Sequence, residues 1–216
     1  MTLSPTAIQA YLDCPMYFKR KYVDKWEVPD TPPTVIGTFL HGAVAQWFET
    51  TAEPLWGDLE FQLFEVGGGE LDTAKSFWRT WVTHSQFRNP DGVEIEIKTH
   101  DRKLGDVHCF LDYVQVPTLV DHKFVGKARK KDPMQLAFYR RFAPCTTKWC
   151  YEIVTPDAYE IQWVNEDELL QADLVIDRTA DLICLGAFSA MPRPMGRGTY
   201  FDWCPFQAAC GECTGS

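Results

Sequence analysis

LDYVQVPTLVDHKF, residues 111–124, is the stretch whose reading decides the fold. It joins two short apolar runs, VHCFLDYV (107–114) and PTLVDHKF (117–124). Both runs are rich in β-branched and aromatic residues, and Pro117 separates them, so they predict two strands and a turn. Successive strand side chains point to opposite faces. Asp121 and Lys123 therefore share one face, while Val120, His122 and Phe124 share the other. This sets a carboxylate and an ammonium side by side on a surface that should be apolar core. Burying such charges costs on the order of several kcal/mol unless something offsets it. A divalent metal shared by Asp112 and Asp121, with Lys123 beside it, would offset it; so would an ordinary Asp–Lys pair in a hairpin.

Downstream, residues 127–131 form a basic loop, and Asp132-Pro133 opens a helix with Asp132 as N-cap. On it Gln135 and Tyr139 are four apart and share a face, as a polar rim would. WCYEIVTP (149–156) and YEIQWV (159–164) read as a hairpin turning at Pro156-Asp157, and Glu166 to Gly186 as an amphipathic helix. Upstream, VEIEIKTH (93–100) alternates as a strand, with Val93, Ile95 and Ile97 opposite Glu94, Glu96 and Lys98. Asn89 to Gly92 is a turn, Leu71 to Phe87 a helix and GGGE (67–70) a loop; the rest of 52–92 carries little signal. Ile36 to Gly42 begins a helix running to about Thr51, preceded by a proline-bearing linker from Asp24 to Val35. Gly37 and His41 lie on one side of that helix, where Gly37 would admit a second backbone and His41 could reach a metal or simply pack. Ser4-Pro5 opens the first helix, which meets Cys14-Pro15 and continues an aromatic face through Tyr17, Phe18 and Tyr22.

The 216 residues suffice for one domain with a full core, and the expectation is a single domain over 1–216. No apolar run reaches membrane-spanning length, and the N-terminus lacks a basic flank with an apolar h-region, so a cytoplasmic protein is expected. The net charge of −9 argues against a protein coated in nucleic acid. The charge is uneven, however. Residues 123–141 hold seven Lys or Arg against one acid, Asp132, and Lys19, Arg20, Lys21 and Lys25 form a second cluster. Local basic strips on an acidic protein suit transient DNA handling, or are solvated helix faces.

Eight cysteines in a reducing compartment indicate metal ligation or free thiols rather than disulfides. Cys204-x5-Cys210-x2-Cys213 puts three thiolates within reach of one metal centre, and Cys14 can supply the fourth through space. A four-thiolate Zn²⁺ site is chemically sound there. Cys109, Cys145, Cys150 and Cys184 remain as ordinary buried thiols.

Taken in order, Cys14-Pro15, Gly37-Thr-x-x-His41, Asp112, Asp121-x-Lys123, Gln135-x-x-x-Tyr139 and the terminal cysteines resemble the PD-(D/E)XK nuclease superfamily. The likeness is to its RecB-type branch and to the CRISPR-associated and AddB-like iron–sulfur nucleases. It implies an α/β fold with a central mixed sheet flanked by helices, a restriction-endonuclease-like core. An iron–sulfur lobe built from residues 1–30 and 195–216 would carry a 4Fe–4S cluster on Cys14, Cys204, Cys210 and Cys213. The implied activity is Mg²⁺- or Mn²⁺-dependent DNA hydrolysis, as an exonuclease. Asp112, Asp121 and Lys123 would be catalytic, and His41, Asp112, Asp121 and the backbone carbonyl of His122 would hold the metal. Glu94 would join the site, and Gln135 and Tyr139 would contact DNA or brace the centre. No Gly-x-x-x-x-Gly-Lys-Ser/Thr is present, so no fused helicase motor is expected. Two other readings stay open: a subunit of a larger recombination or CRISPR-adaptation complex, with partner proteins in recombination, repair or phage replication, and a cluster-bearing DNA-binding protein without cleavage.

Overall fold

A computed structural model describes residues 1–188 and Phe206. The chain runs β1 (Thr2–Leu3), α1 (Pro5–Asp13), α2 (Pro15–Phe18), a π-helical turn (Lys19–Val23), α3 (Pro32–Thr50), α4 (Trp56–Glu65), α5 (Leu71–His84) and β2 (Gly92–Asp101). It continues through β3 (Gly105–Gln115), β4 (Thr118–Phe124), α6 (Met134–Arg140), β5 (Lys148–Val154), β6 (Tyr159–Val164) and α7 (Glu166–Cys184). Two compact units result, one of Met1–Pro29, Lys98–Cys109 and the chain from Gln171 onward, the other of Asp30–Ile97 and Phe110–Leu170.

In the first unit, β1 pairs in parallel with the start of β3, Thr2 against Asp106 and Leu3 against Val107. Ser4 caps α1, its Oγ accepting the Ala7 N–H at 3.2 Å, and Pro5 occupies the first turn, where no N–H is needed. Pro15 ends that helix. Cys14 becomes extended, and its Sγ accepts the Tyr17 N–H at 3.5 Å, capping α2. Phe18 stacks on Tyr22 and meets Tyr11 edge to face, as the aromatic spacing predicts. Phe206 packs on Tyr17 and Trp26, with ring centroids 5.5 Å away in each case, and its carbonyl accepts from Arg20 Nη1.

The second unit contains the hairpin. The later half of β3 pairs antiparallel with β4, Tyr113 against Val120 through Gln115 against Thr118, across a cis Val116–Pro117 peptide. β4 then pairs in parallel with β5, with Asp121 beside Tyr151, and α6 provides the crossover that a parallel pair requires. β5 and β6 form the expected antiparallel hairpin, and β2 pairs with β3. The mixed α/β sheet with flanking helices expected from the sequence is therefore present. Its core is the cluster of Leu40, Val44, Leu59, Leu63, Phe77, Trp78 and Trp81, contributed by α3, α4 and α5. Burying each such side chain contributes about 1.5–3 kcal/mol.

Several boundaries differ from the sequence reading. α3 begins at Pro32, not Ile36, because Pro32 and Pro33 sit in its first turn, where proline is preorganised rather than disruptive. α5 stops at His84, short of Phe87; Ser85 turns to extended backbone and spends its hydroxyl on Glu152. α4 carried no legible signal. Only Leu59 and Leu63 are buried, while Phe61 and Phe64 face solvent and blur the helical period. α6 starts at Met134 with Pro133, not Asp132, as its N-cap residue; Asp132 stands one residue earlier, its Oδ1 accepting the Met134 N–H at 2.9 Å. Cys145 and Cys184 are exposed rather than buried, Cys145 in a turn and Cys184 as the last residue of α7. Cys109 and Cys150 are buried as expected.

Candidate metal centre

β4 delivers the alternation predicted for it. Asp121 is fully buried, and Lys123 Nζ meets its Oδ2 at 2.6 Å. Even so, Oδ1 of Asp121 has no hydrogen-bond partner among the described residues. The contact is an ion pair that leaves lone pairs of a buried carboxylate unused, an arrangement that is costly unless a ligand takes them up. Burial pushes the Asp121 pKa up to about 6, against the pull of Lys123 and with the help of Asp112.

One residue beyond the last paired rung, Asp112 stands on β3 next to Asp121. Its Oδ2 accepts the His122 N–H at 2.9 Å and lies 3.4 Å from His41 Nδ1. Glu94 Oε1 lies 3.5 Å from the same nitrogen. His41, Glu94 and Asp112 thus each present a ligand atom, and all three atoms fall within 4.8 Å of one another. Asp121 is not in that trio, since it turns to Lys123. Asp121, expected to share the metal with Asp112, stands next to it with Oδ2 on Lys123 Nζ, while His41 and Glu94, expected at the same site, group with Asp112.

Glu94 enters the centre from the N-terminal end of β2. Its φ is +47°, the left-handed region that side chains avoid at a cost of about 1–2 kcal/mol. Strict alternation would have carried Glu94 with Glu96 to one face; the kink re-aims it. Backbone strain of this kind collects at sites where geometry matters more than stability. The donor set of carboxylate oxygens and one imidazole suits a hard divalent cation such as Mg²⁺ or Mn²⁺, and the unused Asp121 Oδ1 adds capacity at its edge. For His41, burial lowers the pKa, but the Asp112 charge, the Glu94 hydrogen bond and the Asp121 charge outweigh it, and the net value lies above 6.5.

Behind β4 lies a cluster that the sequence reading missed. Glu152 on β5 is fully buried and accepts from Trp81 Nε1 at 2.9 Å, Ser85 Oγ at 2.6 Å and Tyr159 Oη at 2.8 Å. His122 Nδ1 lies in ion-pair contact with its Oε2. The signal was a glutamate in the middle of the apolar strand WCYEIV. The cluster anchors the side chain of His122, whose backbone N–H holds Asp112.

Gln135 Nε2 donates to Tyr139 Oη at 2.7 Å, so the expected pair is joined on α6. Gly37 does not receive a second backbone: no atom lies within 4 Å of where a side chain would begin, and the space is open. In the basic loop, Lys130 pairs with Glu168 at 3.0 Å. Of the four cysteines grouped from the sequence, Cys14 is buried, and Cys204, Cys210 and Cys213 lie outside the described residues. No helix among the described residues is long and apolar enough to cross a membrane.

Known proteins bear on this geometry. The family model for the PD-(D/E)XK nuclease superfamily matches residues 2–211. A candidate exonuclease from Eubacterium rectale has a similar solved structure, with a TM-score of 0.65 at 12% identity over 88% of this chain and 83% of that one. At that identity the likeness is one of fold. The solved structure of SSO0001 aligns at a TM-score of 0.49 and 15% identity over 97% of this chain and 85% of that one, too low to carry an argument. No curated protein matches the sequence.

Proposed function

The chain belongs to the PD-(D/E)XK nuclease superfamily, and from that premise we propose that it is a Mg²⁺- or Mn²⁺-dependent deoxyribonuclease of the RecB-type branch, acting as an exonuclease. The observation that carries this reading is the convergence of His41, Glu94 and Asp112 beside the Asp121–Lys123 pair. The bound cation supplies Lewis-acid polarisation of the scissile phosphate and a water of lowered pKa. His41, Glu94 and Asp112 would hold it, with Asp121 and the backbone carbonyl of His122 completing the set. Lys123 would hold its ammonium against the charge that grows on the phosphoryl oxygens, in a site dry enough for that charge to count. Gln135 and Tyr139, already bonded to each other, would orient the strand. Incubating end-labelled linear DNA with Mn²⁺ tests the reading: nucleotides should be released from the ends, and EDTA should stop the release. Intact DNA under Mn²⁺ and Mg²⁺ alike would refute it.

The raised His41 pKa gives a sign. A proton on His41 competes with the cation, so metal affinity should fall as pH drops through the region above 6.5. The Mn²⁺ concentration for half-activity should therefore decrease as pH rises. His41→Ala should raise that concentration at least about tenfold and flatten its pH dependence, as loss of a ligand does. An unchanged titration would reduce His41 to packing.

We read Cys14, Cys204, Cys210 and Cys213 as ligands of a 4Fe–4S cluster in a lobe made from residues 1–30 and 195–216, with a four-thiolate Zn²⁺ site as the alternative. Two contacts support the grouping. Cys14 is buried with its sulfur accepting an N–H, a setting that suits a ligated thiolate, and Phe206, between Cys204 and Cys210 in sequence, packs on Tyr17. Protein purified without oxygen should be brown and contain about four irons per chain. Cys14→Ser should lose the colour, whereas Cys109→Ser should keep it. A colourless protein with one zinc would replace the cluster by the alternative.

A further inference from the structure

Beside the metal centre, a cavity of about 470 Å³ opens between the N-terminal turns of α3 and α5 and the end of β4. Pro33 and Ile36 wall it from α3, Phe77 from α5, and Phe124 and Gly126 from the chain leaving β4. Phe124 is also the edge-to-face neighbour of His41, with ring centroids 5.7 Å apart, so one side chain belongs both to the cavity and to the centre. Pro33, Gly37 and His41 are spaced four apart and form one stripe along α3. Measured from His41, Gly37 is about 6 Å and Pro33 about 12 Å along the helix axis. Gly37 is the bare step between them, with no atom within 4 Å of a side chain placed there. The stripe therefore runs from metal ligand to apolar cavity without a side chain in the way.

We propose that this cavity receives a nucleobase of a single-stranded nucleic acid whose phosphate lies at the metal centre, an assignment that rests on the nuclease reading above. The volume falls in the range of small-ligand sites, and the lining is mostly apolar with two aromatic rings. A base stacks on such a surface whatever its identity. A phosphate is the wrong occupant, because no lysine or arginine is among the described lining residues and Glu70 is. A paired base in a duplex is also excluded, since its faces are covered by its neighbours and only an unstacked base can enter. The cavity thus selects single-stranded ends over duplex, and it does so without reading sequence.

The test compares oligothymidylate with an abasic oligomer of the same phosphodiester backbone, under Mn²⁺, for the full chain and two variants. Gly37→Leu fills the bare step; it should fold, since its Cβ meets open space and leucine favours a helix over glycine. Gly126→Val narrows the cavity from the opposite wall and guards against a folding failure of the first. The unaltered chain should show a KM about tenfold lower for oligothymidylate than for the abasic oligomer, the size of one stacked base. Both variants should raise the oligothymidylate KM to the abasic value, leaving kcat and the abasic KM unchanged. Equal KM values for the two oligomers in the unaltered chain, or variants that shift both alike, overturn the proposal. If neither oligomer is cleaved, the nuclease reading fails by itself. The cavity is then judged by fluorescence anisotropy of the same oligomers, where the same base-dependent difference and its loss in the variants are required.

Discussion

Asp121→Ala should abolish the proposed phosphodiester hydrolysis, with kcat/KM expected to fall at least about a thousandfold, the scale of losing a preorganised electrostatic group at a reacting centre. The reason is positional. Asp121 is fully buried next to Asp112, its Oδ2 on Lys123 Nζ and its Oδ1 without a hydrogen-bond partner among the described residues. Nothing else among the described residues could take over a carboxylate there. Its removal also frees Lys123 from the pairing that, against the effect of burial, raises the lysine's pKa. On the proposed reading two functions would be lost together: an oxygen available to the metal, and the fixed direction of the ammonium. DNA binding should persist or tighten, because a negative charge facing phosphate is gone. Cleavage at saturating Mn²⁺ and anisotropy of labelled DNA measure the two arms, with circular dichroism to confirm the fold. A variant that cleaves like the parent would sink the assignment of the centre to β4.

The second large effect is on stability. Glu152→Ala should cost at least about 3 kcal/mol, since several buried donors are left unsatisfied at about 1–3 kcal/mol each. Four groups lose their acceptor at once: His122, Trp81 Nε1, Ser85 Oγ and Tyr159 Oη. Glu152→Gln should cost less, since an amide oxygen can keep part of the set. The pH dependence has a defined sign. Burial pushes Glu152 up, but the charge and hydrogen bond of His122, with Ser85 and Tyr159, hold it below its ordinary 4.5. The native state then prefers the ionised form. Its contribution is complete above pH 4.5 and is lost as pH falls through the depressed native value. Urea melts at pH 7 and at pH 4 measure this. If parent and Glu152→Ala have the same midpoint at pH 7, the network contributes nothing. Activity should fall too, because His122 supplies the backbone N–H that holds Asp112.

The hairpin, the Asp121–Lys123 face, the β5–β6 pair and the cap of α1 were legible because their causes are local. Alternation settles a strand's faces, and a serine before a proline settles a helix start. α4 was not legible, since Phe61 and Phe64 point to solvent and erase the period by which a helix announces itself. The N-terminus of α3 was misread for a simpler reason: paired prolines mark a linker and a first helical turn alike, and only the residues that follow distinguish them.

By itself the sequence determined which residue types could do the chemistry and the order in which they occur: His41, Glu94, Asp112, Asp121 and Lys123. Tertiary structure decided which of their atoms meet. It put Glu94 into contact with His41 by a left-handed turn inside a strand that alternation would have kept regular. It also drew Asp121 to Lys123 rather than into the trio, and buried Glu152 against His122 across two strands. Such pairings depend on register between segments that are tens of residues apart, and on the low dielectric of a core that makes an unpaired charge costly. Neither quantity belongs to any short stretch of chain; each exists only once the sheet has closed around the site.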